Sequence, residues 1–286
     1  MTTYLITGAS GQLGKLVIDH LKTLVPLRDI IALVRSDEAK AHYAEKGISA
    51  RIGDYDDVDS LKSAFVGVDR LLLISSSEVG KRAAQHNNVA QAAVAANVSF
   101  VAYTSLLNAE SGGMALAQEH VATEKDLRDS GIPHTVLRNG WYSENIAGTA
   151  MQAVAIGQHF GAANDGRFAS ATRQDLAEAA AIVLAQPGHE AKTYELGGDE
   201  HFSLSEYAAI LSDLAGTSVA YTNLDQESYS QALVQAGLPE QFAAVLADSD
   251  AKAANGALFT DSGDLAKIIG RPATPISETL RAALAG

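Results

Sequence analysis

The chain contains no cysteine. Disulfides, thiolate catalysis and zinc–thiolate sites are excluded together. Positive charge is scarce: 21 Lys and Arg stand against 34 Asp and Glu, for a formal net charge of −13. A protein that neutralises phosphates without regard to sequence needs a basic face, so this balance argues against a nucleic-acid binder. It argues equally against docking on anionic membranes. No apolar run reaches the eighteen residues of a membrane span. The opening Met-Thr-Thr-Tyr-Leu-Ile-Thr-Gly lacks the basic start of a secretory signal, so a cytoplasmic location is expected. There is no fixed-period repeat and no low-complexity tract. What is present is an ordinary globular balance over 286 residues, 47% hydrophobic and 19% charged. That much apolar surface can offset the entropy of ordering the chain. The chemistry must come from hydroxyls, carboxylates, histidines, lysines, backbone amides or a borrowed cofactor.

The first half alternates β-branched runs with helical patterns. Strands are expected at Tyr4–Thr7, Ile30–Val34, Ala50–Ile52, Arg70–Ile74, Ser99–Thr104 and His134–Leu137. Leu13, Leu16, Val17, Leu21 and Leu24 follow the spacing of a buried helix face, Val89, Ala92, Ala93 and Ala96 mark an alanine-rich helix, and another helix is expected over 115–129. Strand–helix alternation at this spacing implies right-handed crossovers, hence an α/β fold with a Rossmann doubly wound parallel sheet. Later the rhythm changes. A helix at 175–185, a strand at Thr193–Leu196, a capping box at Ser203 and Glu206, helices near 226–235 and 239–247, and a last helix beyond Pro275 read as a smaller, mostly helical C-terminal lobe. The division expected is 1–150 for nucleotide binding and 151–286 for the smaller lobe, with one continuous core.

The strongest motif is Gly8-Ala9-Ser10-Gly11-Gln12-Leu13-Gly14, which follows the first strand and opens the first helix. Gly8 can take the tight turn, Gly11 admits a pyrophosphate to the backbone, and Gly14 lets the helix sit close to the strands. The helix then offers its first amides and positive dipole end to the phosphates. A phosphate-loop nucleotidase is a rival because Lys15 follows Gly14. It fails because five residues separate Gly8 from Gly14, and because Leu16 stands where a magnesium-binding hydroxyl belongs.

The second strand ends at Arg35 rather than at the Asp or Glu that suits a free 2′-hydroxyl. Arg35 could pair with a 2′-phosphate, or be a solvated strand end. A charge-assisted hydrogen bond contributes about 1.5–3 kcal/mol, enough for roughly ten- to a hundredfold preference for NADP(H). Asp54 could reach an adenine amino group or cap the next helix. Ser75, Ser76 and Ser77 could line a ribose through hydroxyls and amides, or only satisfy a loop. Asn139, Gly140, Trp141, Tyr142 and Asn145 mix aromatic and amide groups suited to a nicotinamide and a planar substrate, or form an aromatic plug in the core.

Thr7–Gly14, Leu33-Val34-Arg35, Leu73–Ser77, Tyr103-Thr104-Ser105 and Leu137–Tyr142 together resemble the NmrA-like branch of the atypical short-chain dehydrogenase/reductases. Ser105–Ala109 and Leu246–Asp250 bring the likeness nearer to its bacterial quinone-reducing members than to the triphenylmethane reductases. The resemblance covers nearly the whole chain. It implies NADPH binding and two-electron reduction of small quinones. It also raises a second role, because relatives include regulators that bind NADP without turnover and act through a partner protein.

The wider superfamily uses Ser, Tyr and Lys, the last two as Tyr-x-x-x-Lys on one helix. None of the nine tyrosines here has Lys four residues later. Ser105 stands where the family serine belongs, and the matching helical pair reads His120 and Glu124. Losing a placed general acid costs about 10²–10⁴ in rate, which disfavours alcohol dehydrogenation and sugar epimerisation. A quinone needs that acid less, since its reduced monoanion delocalises charge. His120, Ser105 and Tyr142 are the candidate catalytic residues, with Trp141, Tyr142 and Asn145 as pocket walls. The competing reading of His120 is a surface histidine partnered by Glu124. Lys125 reads as a solvated charge, and Arg173 either touches the sheet domain or forms an ion pair. His20, His42, His86, His134, His159, His189 and His201 share no metal-ligand spacing, so no metal is expected, and the resemblance implies reduction without a flavin. A homodimer through the helix near 89–96 is a further possibility, and conjugated cationic dyes are an alternative acceptor class.

Overall fold

A computed structural model describes residues 2–285. The first elements are β1 (Tyr4–Ile6), α1 (Gln12–Leu24), β2 (Ile30–Val34), α2 (Asp37–Glu45), β3 (Ser49–Ile52), α3 (Val58–Ala64), β4 (Arg70–Leu73), α4 (Arg82–Ala95), β5 (Phe100–Leu106), α5 (Ala117–Ser130) and β6 (His134–Asn139). They are followed by α6 (Ser143–Ala147), α7 (Ala150–Ile156), β7 (Gln158–Gly161), β8 (Arg167–Phe168), α8 (Arg173–Ala185), β9 (Lys192–Leu196), β10 (Phe202–Ser203), α9 (Leu204–Ala215), β11 (Ala220–Asn223), α10 (Gln226–Gln235), α11 (Glu240–Ala253), α12 (Asp264–Ile269) and α13 (Ile276–Ala285).

The main sheet has seven strands in the order β3-β2-β1-β4-β5-β6-β9. The pairs β1–β2, β2–β3, β1–β4 and β4–β5 run parallel. The order reverses beside β1, which places a topological switch point at the carboxyl ends of β1 and β4. This is the doubly wound fold that the strand–helix rhythm implies.

The chain divides into two compact units, neither continuous in sequence. The first comprises residues 1–105, 119–138 and 173–194; the second comprises 106–118, 139–172 and 195–286. The single boundary near residue 150 does not coincide with this division, because the chain leaves and re-enters each unit. In the first unit, Leu5, Leu33, Phe65, Leu71, Val101 and Tyr103 pack with Val89, Ala92 and Ala93 of α4 into one buried cluster. The small alanine side chains let this face of α4 pack into the core, so Val89, Ala92 and Ala93 are not exposed. Leu13, Val17 and Leu21 of α1 are buried as the spacing predicts, whereas Leu24 is largely exposed because the helix ends there. α8, also alanine-rich, packs on α1.

The second unit carries α6, α7 and α9–α13, with two small sheets pairing β8 antiparallel to β10 and β7 parallel to β11. The Ser203–Glu206 capping box is present in both halves: the Glu206 amide donates to Ser203 Oγ at 3.2 Å and the Ser203 amide to Glu206 Oε2 at 2.8 Å. Among the described residues no helix is long and apolar enough to cross a membrane.

The glycine turn fixes how α1 starts. Gly8 has φ +57°, a left-handed conformation that glycine adopts without strain. A β carbon on Gly14 would lie 2.3 Å from Gly8 O and 2.8 Å from Ala9 Cα. The close approach is therefore to the turn's own backbone rather than to the strands. Gly14→Ala should gain about 1 kcal/mol in helix propensity and lose more to the clash, since forced overpacking costs about 1–3 kcal/mol and rigid backbone cannot yield as a side chain does. A lower urea midpoint is expected; an unchanged one would show that turn and helix can separate freely.

Candidate functional site

In the first unit the carboxyl ends of β1 to β4 present the turns where the candidate residues lie. Gly8, Ser10, Gly11 and Gln12 are exposed, while Ala9, Leu13 and Gly14 are buried. Gly11 caps α1 without any side-chain hydrogen bond, and no acidic residue stands in the first turn. A helix start of this kind leaves amides and a positive dipole end for an anion. The turn is held from behind: Tyr43 of α2 donates its hydroxyl to Ala9 O at 2.7 Å. An exposed glycine turn at a helix start, with no carboxylate or side-chain cap of its own, fits a dinucleotide pyrophosphate.

Arg35 is exposed at the end of β2, directly before Ser36, which caps α2 by accepting from the Ala39 amide at 3.2 Å. α2 lacks a strong apolar stripe and was not legible from periodicity; this cap and the acidic first turn of Asp37 and Glu38 mark it instead. Asp54 does not cap α3. Its Oδ1 accepts the Asp56 amide at 2.9 Å, while Asp57 caps α3 by accepting from Asp59 and Ser60.

Beyond β4 the serine amides turn inward. Ser75 donates to Thr104 Oγ1 and Ser76 to His86 Nε2, both at 2.9 Å. Those amides are not available to a ribose, whereas Ser77 is exposed. Thr7 ties the strand ends together. It donates to Leu72 O at 3.0 Å and accepts from the Ile74 amide at 2.9 Å, and the Tyr55 hydroxyl reaches both Thr7 Oγ1 and Ile74 O.

The two candidates on β5 and α5 have partners that the helical spacing does not reveal. Ser105 is buried and donates its hydroxyl to Glu124 Oε1 at 2.6 Å. Arg138 grips the same carboxylate twice, Nε to Oε1 at 3.0 Å and a terminal nitrogen to Oε2 at 2.6 Å. His120 is therefore not partnered by Glu124, nor is it on the surface: it is 4% exposed and its Nδ1 lies 2.8 Å from the Tyr103 hydroxyl. Burial first, then the charge of Arg82, holds His120 well below the usual histidine range. The same causes bring His86 down to about 3. Both rings are neutral near pH 7. Lys125 is exposed and pairs with Asp129, as a solvated helix charge should.

In the second unit Asn139 is buried, and its Oδ1 has no hydrogen-bond partner. Such an orphan is costly unless a ligand supplies a donor. A β carbon on Gly140 would lie 2.7 Å from Ala169 O, so glycine is required where three segments meet. Trp141 and Tyr142 are half-buried rather than plugged into a core, and Asn145 is exposed. The backbone of this turn is fixed by the Ala171 amide donating to Trp141 O at 3.1 Å and the Ser143 amide to Ala171 O at 3.0 Å.

Thr7, Tyr103, His86, Thr123 and Arg138 carry the polar wiring of the first unit, yet none was singled out by sequence for a role. Arg138 sits inside the quoted Leu137–Tyr142 motif, which was the available signal. Thr7 and Tyr103 also sit inside quoted motifs, but their partners Ile74 and His120 lie 67 and 17 residues away, and His86 pairs with Thr123 across 37, where no local spacing points.

The model of the NmrA-like family matches residues 2–268. Quinone oxidoreductase 2 of Escherichia coli (strain K12) is 51% identical over 275 residues, covering 96% of each chain. The crystal structure of the NADPH-dependent quinone oxidoreductase from Escherichia coli complexed with NADPH aligns with a TM-score of 0.97 at 50% identity, over 99% of this chain and 100% of that one. The Citrobacter sp. triphenylmethane reductase complexed with NADP(H) aligns with a TM-score of 0.94 at 40% identity, over 98% and 100%. With fold, glycine turn and full-length likeness in agreement, the chain belongs to the NmrA-like family.

Proposed function

We propose that this protein catalyses NADPH-dependent two-electron reduction of small quinones by direct hydride transfer. One observation carries the reading. Where the superfamily places a phenol and an ammonium, this chain has a buried neutral histidine and a carboxylate locked on Arg138. No strong acid stands on that helix face, so the acceptor must be one whose reduced form tolerates negative charge. The identity to quinone oxidoreductase 2 supports the same conclusion.

NADPH, when bound, supplies the hydride. The turn Gly8–Gly14 holds the pyrophosphate on the α1 amides, with Ala9, Ser10, Gln12 and Leu13 shaping it. Arg35 pairs with the 2′-phosphate. Asp54 borders the adenine end, and Ser75, Ser76 and Ser77 border a ribose through hydroxyls rather than through the inward-turned amides. Asn139 Oδ1 accepts from a carboxamide, which would satisfy its orphaned oxygen. Gly140, Trp141 and Tyr142 continue that wall, and Tyr142, Trp141 and Asn145 hold the planar acceptor. His120 donates a hydrogen bond to the oxygen that gains charge. Ser105 has its hydrogen on Glu124, so its part is to orient rather than to give a proton.

The direct test is the decay of NADPH absorbance on adding a benzoquinone or naphthoquinone. Binding of NADPH without turnover would favour an NADP(H) sensor instead. Arg35→Asp should lower the preference for NADPH over NADH about ten- to a hundredfold, the equivalent of one charge-assisted contact; an unchanged ratio removes Arg35 from the 2′-phosphate. His120→Ala should cost about tenfold or more in kcat, as loss of a placed donor does. Ser105→Ala should stay within about threefold, because its hydroxyl hydrogen is not directed at the acceptor. The reverse order of the two losses would exchange their roles.

A further inference from the structure

Tyr103, Thr123 and His86 have no role in the reaction so far, yet their hydrogen bonds have a readable polarity. The Ser76 amide donates into His86 Nε2 at 2.9 Å. That nitrogen must hold its lone pair, so the neutral ring carries its hydrogen on Nδ1. Nδ1 lies 2.9 Å from Thr123 Oγ1, to which it donates. Thr123 sends its own hydrogen to Glu119 O at 2.9 Å, one helical turn back. Towards the rings, then, Thr123 acts only as an acceptor.

Tyr103 is fully buried, with its hydroxyl 2.8 Å from His120 Nδ1 and Thr123 also close by. A buried phenol must place its hydrogen on an acceptor. Of the two in reach, the imidazole nitrogen is much the stronger base, and Thr123 already accepts from His86. Tyr103 therefore donates to His120 Nδ1. The neutral ring of His120 then has its hydrogen on Nε2, and Nε2 makes no hydrogen bond to any described residue. Arg82, the charged neighbour, gives Nε to Ser76 O at 2.7 Å and pairs with Glu119 at 3.5 Å, leaving the ring alone.

We propose that Tyr103 is a positioning residue that fixes His120 as its Nε2–H tautomer, so that the ring offers a neutral hydrogen-bond donor to an oxygen gaining negative charge. The consequence for turnover rests on the quinone-reductase reading; the tautomer itself does not. The suppressed basicity of His120 agrees with it, because a ring that stays neutral has only one hydrogen to place. A neutral imidazole can serve as an electrophilic donor where burial keeps it uncharged.

The test uses the full chain labelled with nitrogen-15 in histidine, without substrate. Proton–nitrogen correlation spectra report the tautomer of each ring, and His120→Gln assigns its signals. The wild-type His120 should be Nε2–H, and Tyr103→Phe should shift it towards Nδ1–H or a mixture. In turnover with a benzoquinone, Tyr103→Phe should lower kcat about fivefold with KM for NADPH unchanged, the pattern of a lost transition-state contact. A wild-type ring found as Nδ1–H would overturn the proposal. So would a tautomer indifferent to Tyr103→Phe, or an altered tautomer with kcat intact. Should Tyr103→Phe fail to fold, the wild-type spectrum alone still decides the polarity. Absence of quinone turnover in the wild type would instead overturn the reductase reading, and leaves the spectrum to be judged separately.

Discussion

The backbone contact between Gly14 and the turn at Gly8 and Ala9 is the constraint from which the cofactor side follows. With 2.3 Å between a β carbon there and Gly8 O, any side chain would lift the start of α1 off the turn. The exposed amides of the first helical turn would move with it. An anion site built from backbone dipoles works only if those dipoles are already aimed, since each is individually weak. The surroundings enforce this aim. Tyr43 holds Ala9 O from one side, and Thr7 joins the ends of β1 and β4 from the other, with Tyr55 bonded across both. The turn is thus held by a rigid frame, and an anion bound there would rest on backbone dipoles already aimed, as suits so acidic a protein.

The second constraint is electrostatic. Glu124 and Arg138 are both largely buried, and each would be expensive alone. Removing one partner of such a pair costs about 3–5 kcal/mol, because the other charge is left unpaired in low dielectric. Ser105 completes the cluster by donating to the same carboxylate. The consequence for chemistry is negative and specific: the helix position that could have carried an ammonium is occupied by an anion already neutralised. His120 is the other titratable group on this face, and Arg82 beside it opposes any positive charge on the ring.

Much of this is legible in the sequence. The six strands of the first half, the glycine turn, Arg35 at the end of β2 and the Ser203 cap all rest on local pattern, and local pattern survives folding. The absent Tyr-x-x-x-Lys is a local fact too. What the pattern could not show was partnership. Helical spacing joins His120 to Glu124, but Tyr103 reaches His120 from β5 and Arg138 takes Glu124 from β6, and both beat the i, i+4 neighbour. Asp54 lost the capping role to Asp57, three residues on, for the same reason: several oxygens compete for a few amides, and only backbone geometry decides. The boundary near 150 missed the interleaving of the two units, because composition changes only once along the chain while the polypeptide passes between units several times.

In the proposed reaction a neutral donor also bears on which acceptors can be reduced. Hydride addition to a simple ketone leaves an alkoxide, whose conjugate acid is about as weak as water. Hydride addition to a quinone leaves a phenolate-like anion, with a conjugate acid near the tyrosine value of about 10. The gap of nearly six units corresponds to about 8 kcal/mol of proton-transfer driving force. One hydrogen bond to a charged oxygen supplies only about 1.5–3 kcal/mol. In the proposed reaction one hydrogen bond from neutral His120 therefore covers too little of that gap to make a simple ketone a good acceptor, whereas a quinone does not need the gap closed. A phenol backed by an ammonium closes the larger gap by delivering a proton, and no lysine stands on this helix face to support one. Selectivity for conjugated, charge-delocalising acceptors is then a property of the donor's strength as much as of the pocket's shape.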